Sequence, residues 1–265
     1  LPSFLHGHIM RGLIDIFVPE SIQRALLEPT DLSFRGTFDG GGLAGTSYGT
    51  VNGCYSVAWV AGIRAVGGLV GNSSDYSRAI IINSYSTSIV SGDSVVGGLV
   101  GRNGNGMIGN SYSANKVSGK AMVGGLVGLN DGIIANSYST GAVSGNSIVG
   151  GLAGASIGEI IYSYSIGAVA GNSEAGGLVG SNRVGYQVGY NIIKKSYYNI
   201  ETSKQSKDIG GEEDMDKSET ESNAYGKIDI EMKKLETFFG WDFDKTWGID
   251  EKINGGYPYL RSFER

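Results

Sequence analysis

The chain is almost empty of the residues that thiol or metal chemistry needs. Its 265 residues include one cysteine and two histidines, and both histidines, His6 and His8, fall within the first eight positions. An internal disulfide is therefore excluded, and His6 and His8 would lack the further ligands of a zinc site. Proline, at four residues, is too scarce for a proline-rich stalk. No run of 18 apolar residues occurs, so the sequence writes no membrane-spanning helix. The opening LPSFLHGHIM has no basic stretch ahead of an apolar one and does not read as a secretory signal.

Charge is missing from most of the chain as well. Residues 41–180 hold five basic side chains (Arg64, Arg78, Arg102, Lys116, Lys120) and five acidic ones (Asp75, Asp93, Asp131, Glu159, Glu174). No basic stripe exists to neutralise phosphates, so nucleic acid is not an expected partner. From residue 200 onward ten basic and sixteen acidic residues give a balance of −6, against −5 for the whole chain.

Glycine is what the chain has in excess, 45 of 265 residues. It is positional: Gly-Gly-Leu opens at Gly41, Gly67, Gly97, Gly124, Gly150 and Gly176, at spacings of 26, 30, 27, 26 and 26. A fixed period of this size marks a solenoid or tandem array. A second landmark is the tyrosine of Ser-Tyr-Ser, at Tyr55, Tyr85, Tyr112, Tyr138, Tyr164 and Tyr197. From each of the first five to the next doublet is 12 residues without exception. All length variation therefore falls between GGLVG and SYS.

The columns between these landmarks describe a core. Four residues before each tyrosine stand Val51, Ile81, Ile108, Ile134, Ile160 and Ile193, and five after it Val60, Val90, Val117, Val143 and Val169. A β-branched residue stacked on its equivalent suits parallel strands about 4.8 Å apart. Glycine columns, including Gly92, Gly119, Gly145 and Gly171, are expected at corners with positive φ or close backbone approach. Stacked tyrosines, and amides of Asn83, Asn110 and Asn136 bonding from turn to turn, are expected to stabilise the coil along its length. Cys54 occupies the column of Ser84, Ser111, Ser137, Ser163 and Ser196 and reads as a small structural residue. The expected fold is all-β: a parallel β-solenoid of about six coils of ~26 residues.

The ends do not repeat. Residues 1–35 are expected to form an N-terminal cap with a short helix from Pro19 to about Glu28, its face marked by Ile22, Ala25 and Leu26. The repeats fill 36–199. Residues 200–227 read as a polar acidic loop. Its Glu212, Glu213, Asp214 and Asp216 read as a solvated run, without the ligand spacing of a calcium loop. Residues 228–265 are expected to supply a helix over 228–239 and then an aromatic cap containing Trp241, Trp247 and Tyr257.

The segment GGLVGLNDGIIANSYSTGAVSG, Gly124 to Gly145, resembles the GLUG motif of bacterial surface and secreted proteins. FRGTFDGGG at Phe34 and FFGWDFDKTWGIDEKINGGYPYL at Phe238 resemble the flanks of such repeats. The resemblance implies an adhesin-like protein at the cell surface or outside the cell. GLUG repeats also accompany protease domains in immunoglobulin A peptidases, but the zinc-binding HExxH pair of those enzymes is absent here.

The function expected is therefore non-catalytic binding or structural support, with no cofactor and no metal. One alternative is a subunit of a self-assembling surface filament. Another is a polysaccharide-acting β-helix enzyme, which would need paired carboxylates, whereas here the acidic residues come about one per turn. The expected partner is a glycan or a protein at a cell surface. Candidate binding residues lie where the repeat lengthens: Tyr76 and Arg78 in the second coil, Arg102 and Asn105 in the third, and Arg183, Tyr186, Gln187 and Tyr190 in the sixth. Repeat insertions that share one side of a coil commonly build a binding face, and tyrosine with arginine suits glycan or protein contact.

Overall fold

A computed structural model describes residues 33–73, 78–184, 187–188, 192–211 and 222–264. Through them the chain winds as a parallel β-solenoid with three faces. Face 1 begins with Ser33–Gly41 and ends with Val169–Gly176, face 2 runs from Ala44–Ser47 to Ile209–Gly211, and face 3 collects short strands such as Ile133–Ala135 and Tyr138–Ser139. The register is column on column. Ile108 pairs with Ile134 and Ile134 with Ile160, Val96 with Val123, and Tyr112 with Tyr138.

The β-branched columns point inward and are buried, together with the leucine that follows each doublet from Leu69 on. They form two clusters, the valines of face 1 and the isoleucine, leucine and valine columns of faces 2 and 3. Between the clusters the coil is pinched. Ser139 Oγ donates to the Gly151 carbonyl at 2.5 Å, and Ser165 Oγ to that of Gly177 at 2.6 Å. The second glycine of each of the first five doublets abuts this serine: a Cβ on Gly125 would stand 2.6 Å from Ser139 Oγ. The first glycine abuts backbone. A Cβ on Gly124 would stand 2.5 Å from the Gly154 nitrogen and closer still to the Val127 carbonyl oxygen.

The glycine columns thus serve close approach, and the expectation of positive φ there is corrected. Left-handed backbone occurs instead at Ala65, Val95, Met122 and Ile148, and at Asn83, Asn110 and Asn136, with φ between 45° and 57°. Asparagine tolerates that region because its short polar side chain bonds locally. Val95 and Ile148 are β-branched and strained there. Their side chains pack with Leu129, Ala155 and Met122 in a small apolar cluster that offsets the strain.

The polar ladder of the coil is built mainly from serine; of the expected asparagine column Asn83 bonds to the neighbouring coil, its Nδ2 donating to Asn52 Oδ1 at 3.0 Å. The backbone nitrogens of Ser84, Ser111 and Ser137 donate to the hydroxyls of Ser111, Ser137 and Ser163 at 3.1, 3.2 and 3.1 Å. Each hydroxyl in turn donates to the carbonyl two residues back, as Ser137 Oγ does to Ala135 at 2.8 Å. A hydroxyl can do both, which an apolar side chain cannot. Cys54 heads this column, where its nitrogen donates to Ser84 Oγ at 3.1 Å. Burial pushes its thiol pKa up, the condition of an inert structural cysteine.

Residues 1–32, with the expected N-terminal helix, His6 and His8, lie outside the described residues. The stretch expected as a loop over 200–227 differs from that reading. Ile200–Ser203 is one helical turn capped by Asn199, whose Oδ1 accepts from Glu201 N at 2.9 Å and Thr202 N at 3.1 Å. Ile209–Gly211 then adds a seventh strand to face 2, and Ser222–Lys227 pairs with Ile192–Asn199 on face 3. Average polarity concealed single residues in register: Ile209 is buried against the core. The acidic run at 212–216 lies outside the described residues.

The expected helix over 228–239 is a turn followed by the 3-10 helix Leu235–Thr237. It bends because Met232 and Phe238 are both drawn into one aromatic cluster, which a straight helix would not align with the tail that follows. That tail is not an end cap. The column tyrosines Tyr55, Tyr85, Tyr112, Tyr138 and Tyr164 stack with centroids 4.9 to 5.0 Å apart. The C-terminal segment lies across them: Phe238 meets Tyr197 at 4.9 Å, Trp247 meets Tyr164 at 6.0 Å and Tyr138 at 6.1 Å, and Phe263 meets Tyr112 at 5.0 Å and Tyr85 at 5.5 Å. Residues 228–264 therefore run back along the flank as a clasp. Tyr164 Oη donates to the Pro258 carbonyl at 2.5 Å and Trp241 Nε1 to that of Lys195 at 2.9 Å. The end of the interior is filled by Tyr198, which replaces the serine of the pinch and sets its ring against Gly177.

Candidate functional site

The segment of variable length occupies one corner, between faces 2 and 3. In the fourth coil it is minimal, with Asp131 and Gly132 joining Val127–Asn130 to Ile133–Ala135. In the third coil Gly104, Asn105 and Gly106 make the connection, and in the second residues 74–79 do. The sixth coil inserts a small antiparallel pair, in which Arg183 faces Val188 and Val184 faces Gln187. All three insertions leave the body at the same corner, as the spacing required.

The candidate residues fall into four groups. Arg78 is exposed, with left-handed backbone at φ 48°, and Asn105 is exposed at the tip of its turn. Arg102 is held down: its Nη2 and Nε donate to Asp131 Oδ2 at 2.7 and 3.2 Å, an ion pair between adjacent coils. Arg183 and Gln187 are placed by backbone on the paired strands of the sixth insertion. Tyr76, Tyr186 and Tyr190 lie outside the described residues.

Sequence reasoning missed what lies beneath the corner. Asn103 Nδ2 donates to Asn130 Oδ1 at 2.8 Å, and Asn130 Nδ2 donates to Ser156 Oγ at 3.1 Å and to the Gly132 carbonyl at 3.2 Å. This buried ladder ties neighbouring coils together where their connecting segments differ in length. The column Ser47, Ser73, Asn103, Asn130, Ser156 is readable in the sequence only once the register is known. Asp131 and Glu159 also stand on successive coils here, where Glu159 N donates to the Gly132 carbonyl at 2.9 Å.

Among the described residues no group of three or more His, Cys, Asp or Glu is gathered as a metal site would require. No helix among them is long and apolar enough to cross a membrane.

The third and fourth coils decide the kinship of the repeat. Residues 92–118 and 120–144 match the family model described as the GLUG motif. The chain carries GLUG repeats. Each matched GLUG unit contributes strands to all three faces of the solenoid, so the motif is one full coil, and its glycine doublet is the pinch described above. No curated protein and no solved structure matches the chain.

Proposed function

We infer that the protein is a non-catalytic, adhesin-like binding module at the cell surface or outside the cell, and that it engages an extended glycan or protein partner. The observation that carries this reading is the concentration of every length change of the repeat at one corner of an otherwise uniform body. A rod of stacked GLUG coils is stiff, so side chains on that corner keep fixed spacing. Coils two and six are about 19 Å apart at the strand spacing, and a partner touching both is itself extended. Arg78, Asn105 and the residues of the sixth insertion supply charge-assisted and amide hydrogen bonds, while tyrosines of the same insertions supply planar apolar surface. The extracellular setting rests on the kind of protein in which GLUG repeats occur.

The experiment is to shorten residues 74–79 and 182–191 to the two-residue corner of the fourth coil. Binding to glycan surfaces and to host-cell surfaces is then compared with that of the parent chain, with circular dichroism confirming that the variant is folded. Loss of binding supports the reading. Undiminished binding by the folded variant overturns it, and release of products from a polysaccharide would replace it by the enzymatic alternative.

A further inference from the structure

The clasp contains a cleft of its own, of about 300 Å³, between residues 235 and 244. Its floor is made by Phe238, Trp241 and Phe243, which pack ring on ring with centroids 4.8 to 6.5 Å apart. Phe238 and Trp241 also reach down to Tyr197, at 4.9 and 5.8 Å, so the floor is anchored on the tyrosine column. Phe239, the next residue along, stands in water instead: it is 80% exposed, and Leu235 is 51% exposed. The other side chains that line the cleft are Glu236, Asp242 and Asp244, all exposed, and no basic residue among the described ones lines it. Asp242 is committed to the turn below, where its carboxylate accepts from the amides of Asp244 at 3.1 Å and Lys245 at 3.0 Å. Glu236 and Asp244 are left to face a ligand.

We propose that this cleft receives a basic side chain, lysine or arginine, of a partner protein, with its stem against Leu235 and Phe239 and its cationic head toward Glu236 and Asp244. The site is built from the clasp alone and is separate from the corner where the repeat varies in length, so it stands whether or not that corner binds. Exposed apolar and aromatic surface suits the methylene stem of such a side chain, and the carboxylates suit its charge. A neutral ligand would leave three carboxylates unmatched, and a hydrated metal ion would gain nothing from the rings. The molecule itself displays the preference: Lys195 Nζ lies 5.3 Å from the centroid of Phe239, and with that ammonium in place the ring still has most of its surface in water. Against the single charge of Lys195 stand the three carboxylates of the lining, so a second cation is drawn in.

The test is to titrate the full chain with blocked tripeptides, Gly-Arg-Gly, Gly-Lys-Gly and the neutral Gly-Gln-Gly, while the amide resonances of Phe239, Gly240 and Asp244 are followed by NMR. Both basic peptides are expected to shift these resonances saturably, and the neutral peptide to leave them in place. Phe239→Ala is expected to weaken binding about two- to fivefold, the size of one exposed cation–π contact. It keeps every charge, so that loss separates the cleft from general attraction to a chain of net charge −5. The double variant Glu236→Gln, Asp244→Asn is expected to weaken binding at least as much. All three side chains are exposed, and circular dichroism confirms that the variants are folded. Equal shifts from the neutral peptide would make the cleft an apolar surface without charge selection and would overturn the proposal. Binding undiminished by Phe239→Ala, or no saturable shift with either basic peptide, would overturn it as well.

Discussion

Ile134 in the coil and Trp247 in the clasp are both completely buried, but they are buried by different means. Ile134 lies between copies of itself, Ile108 and Ile160, so its neighbours are supplied by repetition. Trp247 lies against Tyr138, Tyr164 and Trp241, and no other described residue has that surrounding. Repetition makes the interior complementary to itself at every level, whereas the clasp fits at one place only. The coil should therefore tolerate loss of the clasp, and the clasp should not survive loss of the coil.

The largest effect is expected where the coil has no room. Gly124→Ala places a methyl group against the Val127 carbonyl and the Gly154 nitrogen, both backbone atoms of stacked strands. It should cost more than about 4 kcal/mol, and chemical denaturation should find little folded protein. Trp247→Ala should cost the clasp about 3–5 kcal/mol and Ile134→Ala should cost the whole body about 2–5 kcal/mol. The informative contrast is in cooperativity: Ile134→Ala should shift all probes together, and Trp247→Ala should separate the tyrosine signal from the β-sheet signal.

These two regions also differed in how much the sequence disclosed. Periodicity and β-branched columns were sufficient for the coil, its register and the corner where the insertions emerge, because each inference was repeated six times over. Of the two roles open to the glycine columns, close approach and positive φ, both favour the same residue type, and only geometry singles out the first. Ile209 and Tyr225 continue the coil within a stretch whose average polarity suggested a loop. The clasp was invisible for a deeper reason: the apolar pattern of Met232, Leu235 and Phe238 fits a helix, and tertiary packing on the tyrosine column overrides it. Of the candidate site, the corner was readable, but the capture of Arg102 by Asp131 was not, because it joins residues of adjacent coils 29 positions apart.

Alkaline pH tests the tyrosine column itself. Burial pushes the phenols of Tyr138, Tyr164, Tyr197 and Tyr198 up from their ordinary value. In the unfolded chain they lose their protons near pH 10, while in the folded chain they keep them. The stability they contribute is then fully present below about pH 10 and is lost as pH rises above it. Urea midpoints should be flat from pH 7 to 9 and fall steeply beyond 10, and phenolate absorbance should appear together with unfolding. A smooth titration of all tyrosines without unfolding would mean that the column is open to water.

The smallest effect is expected at the candidate corner. Asp131→Ala removes one partly exposed ion pair, with side-chain exposures of 36% for Arg102 and 15% for Asp131, and should cost at most about 1 kcal/mol. A larger loss than that of Ile134→Ala would mean that the corner, not the interior, holds the coils in register.

The GLUG coil is expected to stand by itself, with the C-terminal segment clasped on its flank. Amide hydrogen exchange on Trp247→Ala tests it most directly. Protection is expected to be lost across the clasp, including the amides of Trp241 and Arg261, while the amides of Leu126 and Val127 in the coil keep theirs. Simultaneous loss of protection in both would contradict it.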